Sequence, residues 1–482
     1  MRDSGIYLLG NLMQKAAGFV LIPLYTHALS TAQYGLLELA NTVVNLLLVV
    51  AALGVPASIN KVYHRDCADE PSRRRLLGTA ILFTFFTTAA IALVAHLFEA
   101  RWAGLIYHGP EGLLVYRYTL VWLVLAQWAV VPFEFLRTAG RSHLFVGLSL
   151  TQLLVQSGFI VFLVLGRGLG LRGVLIGNVA GLVAVNLAGA FVLARRVAWR
   201  ADRRLLRAMV SYGLAMIPVF VSGWVVNLSD RFFVQSMVGL GALGVYALGY
   251  KFGALVDLLI VMPVQRAWTP IFFRLAGEGD APRRLAQVTT YLMAALCFCS
   301  LAISLAVPPF LRLGASAEFR GASGVVPLVC LAYLLGGLAN CLGNGLVVAE
   351  RLRLIAVYAL LAALANLALN AILIPWIGIW GAAVATALAF AVQLLGTVRS
   401  LARHYPVPVE WGRMGGLAIA ALAPLGASYL LPDLPLLPDV AARALLLCGF
   451  PLIVALAGLA RPDEIEAAAH GLAWLRRSVT RS

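Results

Sequence analysis

Charge is scarce in this chain and lysine is nearly absent. Of 482 residues, 12% are Asp, Glu, Lys or Arg, about half the share of an ordinary soluble domain. Lys15, Lys61 and Lys251 are the three lysines, and none follows a glycine. The Gly-Lys of a Walker-A loop is therefore missing, which excludes a nucleotide bound there as the driver of any work the protein does. The six cysteines form no CxxC pair, and the seven histidines stand singly with no HExxH. Metal and disulfide chemistry lack their usual spacing, and no G-x-S-x-G elbow supports hydrolysis. The polar breaks, at most about twenty residues long, leave no room for a soluble catalytic domain with clustered carboxylates. A membrane glycosyltransferase or polymerase is thereby the weaker hypothesis, and no cofactor is expected.

What the chain has instead is apolar length. Hydrophobic residues make up 61%, and runs of about twenty, enough to cross a hydrocarbon core of roughly 30 Å as helix, recur from end to end. Their positions predict an all-α polytopic membrane protein with about fourteen spans. These lie near 6–28, 35–58, 76–98, 117–137, 144–165, 173–194, 208–229, 242–264, 286–309, 325–347, 355–375, 381–402, 413–431 and 441–460. With no short apolar segment and no Ala-x-Ala site at the start, the first span is expected to be retained rather than cleaved.

A net charge of +16 raises the question of nucleic acid. Its distribution argues otherwise. Alternate breaks between spans carry 27 Lys and Arg on one side and 8 on the other, and Lys15 and Lys251, inside spans, complete the 37. That asymmetry is the positive-inside pattern, and it predicts a membrane protein with both termini cytoplasmic, helped by anionic headgroups.

The most basic linker, Arg195 to Arg204, follows the sixth span, and the sequence after it echoes the beginning. At an offset of 212, Tyr34-Gly35-Leu36 matches Tyr246-Ala247-Leu248, and Asn45-Leu46-Leu47 matches Asp257-Leu258-Leu259. Six spans is an even number, so the halves are expected to insert as parallel repeats. This gives an N-terminal lobe over 1–200, a C-terminal lobe over 201–405, and two additional helices with a tail over 406–482.

Polar residues at helical spacing inside the spans are the functional candidates, since positions three, four and seven apart share a face. The first span carries Asn11, Gln14 and Lys15; the second carries Glu38, Asn41 and Asn45. Gln152 with Gln156, Asn340 with Asn344, and Asn366 with Asn370 repeat the device. Amide stripes either line a watery cavity or hydrogen-bond helix to helix. Charge is a stronger sign, because an ion near the bilayer centre costs about 2.5–3.5 kcal/mol even on insertion scales. By helical rise, Lys15 lies roughly 15 Å from one face and Lys251 roughly 13 Å from the other, which suggests an anion-attracting chamber. The alternative is that each lysine pairs with a carboxylate such as Asp257 or Glu38. Asn227, Asp230 and Arg231 close the seventh span, and Glu134 and Arg137 stand three apart at the end of the fourth. Either group serves substrate or gate, or is a helix-end ion pair.

Leu9-Gly10-Asn11-Leu12, Gly18 through Thr26, Leu29-Ser30 and Tyr34 to Glu38 resemble the N-terminal signature of bacterial polysaccharide-transport flippases. Trp224, Asn227, Asp230-Arg231, Gly244-Val245-Tyr246, Lys251 and Trp268-Thr269-Pro270 resemble that family's pattern between spans seven and eight. The resemblance covers residues 1 to about 405. It implies the fold of the multidrug, oligosaccharidyl-lipid and polysaccharide exporter superfamily, with two six-helix lobes and two extra helices. It further implies translocation of a polyprenyl-diphosphate-linked oligosaccharide to the outer leaflet for O-antigen, exopolysaccharide or capsule. Membrane lipids, a polysaccharide polymerase and assembly proteins are the partners expected with it, and nucleic acid is not.

On that implication the substrate would meet Lys15, Lys251, Asn11, Gln14, Asn41, Asn45, Asn227, Asp230 and Arg231. Glu38 and Asp257 would couple an ion, and Glu134 and Arg137 would gate. Expelling a diphosphate from a negative-inside cell is downhill by about 2.3 kcal/mol per charge per 100 mV. A multidrug cation antiporter and a peptidoglycan lipid-precursor flippase of the same superfamily remain the alternatives.

Overall fold

A computed structural model describes residues 18–107, 109–275 and 279–461. Asn11, Gln14 and Lys15 lie outside the described residues. Every regular element among those described is helix. In the first part of the chain these are α1 (Ile22–Ala28), α2 (Thr31–Ala51), α3 (Val55–Asp66), α4 (Glu70–Leu97), α5 (Glu99–Ile106), α6 (Gly112–Thr138), α7 (Ser142–Val161) and α8 (Gly170–Leu193). Beyond the basic linker come α9 (Arg203–Leu228), α10 (Asp230–Met237), α11 (Leu240–Gly253), α12 (Met262–Leu275), α13 (Ala281–Gly314) and α14 (Ala322–Val348). The remainder is α15 (Leu352–Ile377), α16 (Ile379–His404), α17 (Trp411–Ser428) and α18 (Leu436–Leu456). Among the described residues, twelve helical stretches are long and apolar enough to cross a membrane. With the shorter apolar helix Gly18–Ala28 and α17, they match the expected architecture of about fourteen spans.

Local sequence explains where the helices start and stop. Ser30 opens α2 with a capping box: its hydroxyl accepts from the Gln33 N–H at 3.2 Å, and the Gln33 side chain accepts from the Ser30 N–H at 3.3 Å. The single span expected over 35–58 is in fact two helices. Leu53 and Gly54 adopt φ of 48° and 69°, a left-handed conformation that glycine tolerates at little cost. Pro56, lacking an N–H, then suits the first turn of α3. Likewise α9 breaks at Ser229 into α10, and a π turn at Asp257–Val261 joins α11 to α12.

The described residues group into two compact units. One holds the chain through Leu248 with Gly314–Ala322 and Ala359–Thr386; the other holds Gly249–Leu313, Ser323–Tyr358 and the chain from Ala387. In the first unit, glycines set two helix crossings. A Cβ on Gly35 would lie 2.3 Å from the Leu240 carbonyl oxygen, and one on Gly244 2.0 Å from that of Thr31. At the other end of α2, a Cβ on Gly213 would lie 2.2 Å from the Leu53 oxygen. Small residues are the usual means of such close backbone approach in membranes. In the same unit Ile59, Leu76, Leu77, Leu136 and Met209 belong to one fully buried apolar core.

In the second unit the last two helices are fastened to α13 at both ends. Glu410 accepts from the Thr290 hydroxyl at 2.9 Å and pairs with Arg413 and Arg461. At the far end, buried Asp439 binds Arg443 at 2.8 Å and Arg312 at 3.3 Å, and Phe298 meets Phe450 midway. Cys297, Cys299, Cys330 and Cys341 are buried in this unit, as their apolar setting predicts, whereas Cys448 is exposed on α18.

Candidate functional site

A close helix pairing in the first unit, of α7 with α8, builds one wall of a cavity. Gly173, Gly177 and Gly181 recur every fourth residue along α8. A Cβ on Gly177 would lie 2.4 Å from Ile160 Cγ1, and one on Gly181 would lie 2.6 Å from Gln156 Cβ. With α8 pressed so close, the Gln156 amide donates to Asn178 Oδ1 at 2.7 Å, and Ser149, Gln152 and Gln156 form a polar stripe along α7. Trp122, Ala126, Ala129 and Phe133 of α6 face them across the space, with Tyr25 of α1 and Leu48 of α2 completing the lining.

The volume is about 390 Å³, within the ordinary range of small-molecule sites. No charged side chain lines it among the described residues. Ser149 is 2% exposed, and its hydroxyl is buried without a protein partner, a cost that an incoming hydroxyl or water would relieve. Amides, hydroxyls and aromatic faces together suit an uncharged, hydroxyl-rich solute.

Other sequence candidates fall elsewhere. Glu38, Asn41 and Asn45 share one face of α2, where Asn45 Nδ2 donates to the Asn41 side chain at 2.9 Å and to its carbonyl at 2.7 Å. Asn45 is exposed, while Asn41 and Glu38 are half-buried. Lys251 is half-buried in the last turn of α11 and Asp257 begins the π turn; neither stands without a partner. Glu134 and Arg137 pair on α6, Arg137 being exposed.

Asn227, Asp230 and Arg231 are brought together; Asp230 and Arg231 are deeply enclosed, while Asn227 is half-buried. Asp230 is 0% exposed and Arg231 4%. Arg231 Nη1 donates to Asp230 Oδ1 at 2.7 Å and to the Asn227 carbonyl at 2.5 Å. The Tyr246 hydroxyl donates to the other Asp230 oxygen, and the Arg231 guanidinium lies 5.8 Å from the Tyr246 ring centre. This is the helix-end ion pair left open by the sequence, with Tyr246 as a third member.

Asn366 and Asn370 are also fully buried and bond each other at 2.9 Å; Ser229 joins Asn366 at 3.3 Å. The Ser229–Asn366 bond joins two segments, whereas the Asn366–Asn370 bond lies within α15. Asn344 is buried, with Thr269 at 3.5 Å, while Asn340 is exposed. Sequence reasoning found the glutamine pair but missed Ser149, Trp122 and Tyr25. Ser149 stood three residues before Gln152 and completes the same face, a signal that was there to be used.

Comparison with known proteins places this architecture. The family model described as polysaccharide biosynthesis protein matches residues 1–276, and the chain belongs to that family. The probable low-salt glycan biosynthesis flippase Agl15 of Haloferax volcanii is 21% identical over 439 residues, covering 89% of each chain. Among solved structures, an inward closed conformation of the lipid II flippase MurJ superposes with TM-score 0.75 at 13% identity, over 94% of this chain and 99% of that one. An inward-facing multidrug resistance MATE transporter of the MOP superfamily gives 0.62 at 12% identity, over 80% and 94%. The chain is thus a multi-pass membrane protein of the polysaccharide biosynthesis family with the fold shared by these MurJ and MATE structures, and the relatives it resembles are named as flippases and transporters.

Proposed function

We propose that the protein moves a polyprenyl-diphosphate-linked oligosaccharide from the cytoplasmic to the outer leaflet of a bacterial inner membrane, for surface polysaccharide synthesis. The observation that carries this reading is the cavity of Ser149, Gln152 and Gln156, whose described lining offers hydrogen-bonding and aromatic surface without charge. Sugars take such walls; a cationic drug exchanged for a proton or sodium ion needs a carboxylate within reach. In this scheme the sugars occupy the cavity, and Lys15 and Lys251 hold the diphosphate. Asn11, Gln14, Asn41 and Asn45 continue the polar path, Glu38 and Asp257 carry the coupling ion, and Glu134 with Arg137 acts at the gate.

Asn227, Asp230 and Arg231 brace the path, since Asp230 and Arg231 already serve each other, Tyr246 and the Asn227 carbonyl, and the Asn227 amide donates to the Gly223 carbonyl. The lobes of residues 1–200 and 201–405 rock about the site, both termini face the cytoplasm, and polymerase and assembly proteins take over the product. The test is deletion of the gene in its host, complemented by Gln152→Leu and by Lys15→Ala with Lys251→Ala. Loss of surface polysaccharide with cytoplasm-facing lipid-linked repeats accumulating is the expected result. Intact polysaccharide with altered sensitivity to cationic drugs would overturn the proposal in favour of an antiporter.

A further inference from the structure

A second space in the first unit is of the opposite character. A groove of about 520 Å³ runs between α4, α6, α8 and the linker after α8. Phe85, Trp128, Leu193, Val197 and Trp199 make its walls almost wholly apolar, with Phe85 and Trp128 stacked at 4.8 Å. It opens sideways: Phe86 is 65% and Trp199 64% exposed. The linker that closes one end carries six arginines between residues 195 and 207 against one carboxylate, Asp202.

The linker is held firmly in place. Ala198 N–H donates to the Arg74 carbonyl at 3.1 Å, Asp202 N–H donates to the Thr79 hydroxyl at 2.9 Å, and a Cβ on Gly78 would lie 1.8 Å from the Ala198 oxygen. Asp202 itself caps α9 through the Arg204 and Leu205 N–H groups. Ala194 and Val197 line the groove on either side of Arg196. Arg196 is half-buried and its Nη1 is enclosed without an acceptor, as is the indole N–H of Trp128 in the groove wall. Buried donors of this kind are costly unless an acceptor arrives.

We propose that this groove holds an anionic phospholipid of the arginine-rich leaflet, one acyl chain lying against Phe85, Trp128 and Trp199 and the phosphate accepting from Arg196. Charge complementarity selects the headgroup, and the apolar walls select a chain attached to it. The site is separate from the oligosaccharide cavity and does not depend on which substrate is flipped.

The test uses the full-length protein in phosphatidylcholine vesicles doped with phosphatidylglycerol or phosphatidylcholine bearing an acyl-chain diazirine at equal mole fraction. Crosslinks are mapped by mass spectrometry. Labelling of residues 81–86, 128 and 193–199 should favour phosphatidylglycerol by about fivefold, the factor for one arginine near an anionic surface. Arg196→Gln should remove that preference and Arg196→Lys should keep it, with labelling elsewhere unchanged. Equal labelling by the two lipids, or a preference indifferent to Arg196→Gln, would overturn the assignment. So would displacement of the label by substoichiometric polyprenyl diphosphate, which would make the groove a docking place for the flipped lipid instead.

Discussion

Two polar regions of the same unit treat their polar atoms in opposite ways. Around Asp230 the charges are fully enclosed and answered from within, by Arg231 and by Tyr246. Around Ser149 and Gln152 no charged side chain lines the space among the described residues, and the polar side chains border it. The difference follows from cost. A carboxylate in an apolar span must be matched by the protein itself, because removing one partner of a buried ion pair is heavily destabilising. A hydroxyl or amide facing a void costs far less and can wait for a solute. Charge inside these spans therefore marks rigidity as readily as function, and neutral polarity beside a cavity is the better sign of a binding surface.

The largest effect expected from this contrast is at Asp230. Asp230→Ala leaves the Arg231 guanidinium buried without its counterion and should destabilise the fold by about 3–5 kcal/mol. Denaturant unfolding in detergent should show the loss, with Tyr246→Phe losing less because it removes one hydrogen bond to the carboxylate. An Asp230→Ala protein as stable as the parent, yet inactive, would move this cluster from brace to binding site.

Next come the helix crossings that frame both regions. Gly244→Leu forces side-chain atoms onto the Thr31 carbonyl and should cost roughly 1–3 kcal/mol by overpacking, whereas Gly147, with open space around its would-be Cβ, should accept alanine with little change. Thermal denaturation of the two variants separates the cases; equal tolerance would mean that α2 and α11 do not need their close approach.

How far these outcomes were legible in the sequence varies by element. The spans followed from apolar runs, and the α2 start followed from Ser30 and Gln33. The break after Ala51 was hidden because hydropathy runs on through Ala52-Leu53-Gly54-Val55; the Gly54 and Pro56 pair was the available clue. For the site, helical spacing placed Gln152 and Gln156 on one face but could not supply Trp122, which reaches the cavity from another helix. The same limit applied at Asp230, where the closing partner, Tyr246, lies across a turn on α11. Periodicity reports what one helix presents, and it is silent on what that face meets.

Gln152→Leu sharpens the comparison from the cavity side. It removes an amide that faces the space, so stability should change little, while transport of lipid-linked sugar should fall about tenfold, the worth of one well-made hydrogen bond. Gln156→Leu is less clean because it also strips Asn178 of its donor. Reconstituted flipping assays beside unfolding curves check the split. Equal losses in both measurements would make the cavity wall structural, like Asp230.

The smallest effect lies outside the membrane, at Asp69, which caps α4. Its carboxyl accepts from the Ser72 N–H at 3.1 Å, and the Ser72 hydroxyl and N–H together hold its pKa below the usual carboxylate value. A depressed folded-state pKa contributes stability that is present above the unfolded value, near pH 4, and disappears as pH falls through the folded one. Hydrogen exchange in the first turn of α4, corrected for intrinsic chemistry, should therefore accelerate through the acid range. Asp69→Asn, which keeps an acceptor but cannot titrate there, should flatten the profile. A profile that stays equally steep in Asp69→Asn would assign the pH dependence to another group and leave this exposed cap, unlike the enclosed Asp230, without a measurable share in the fold.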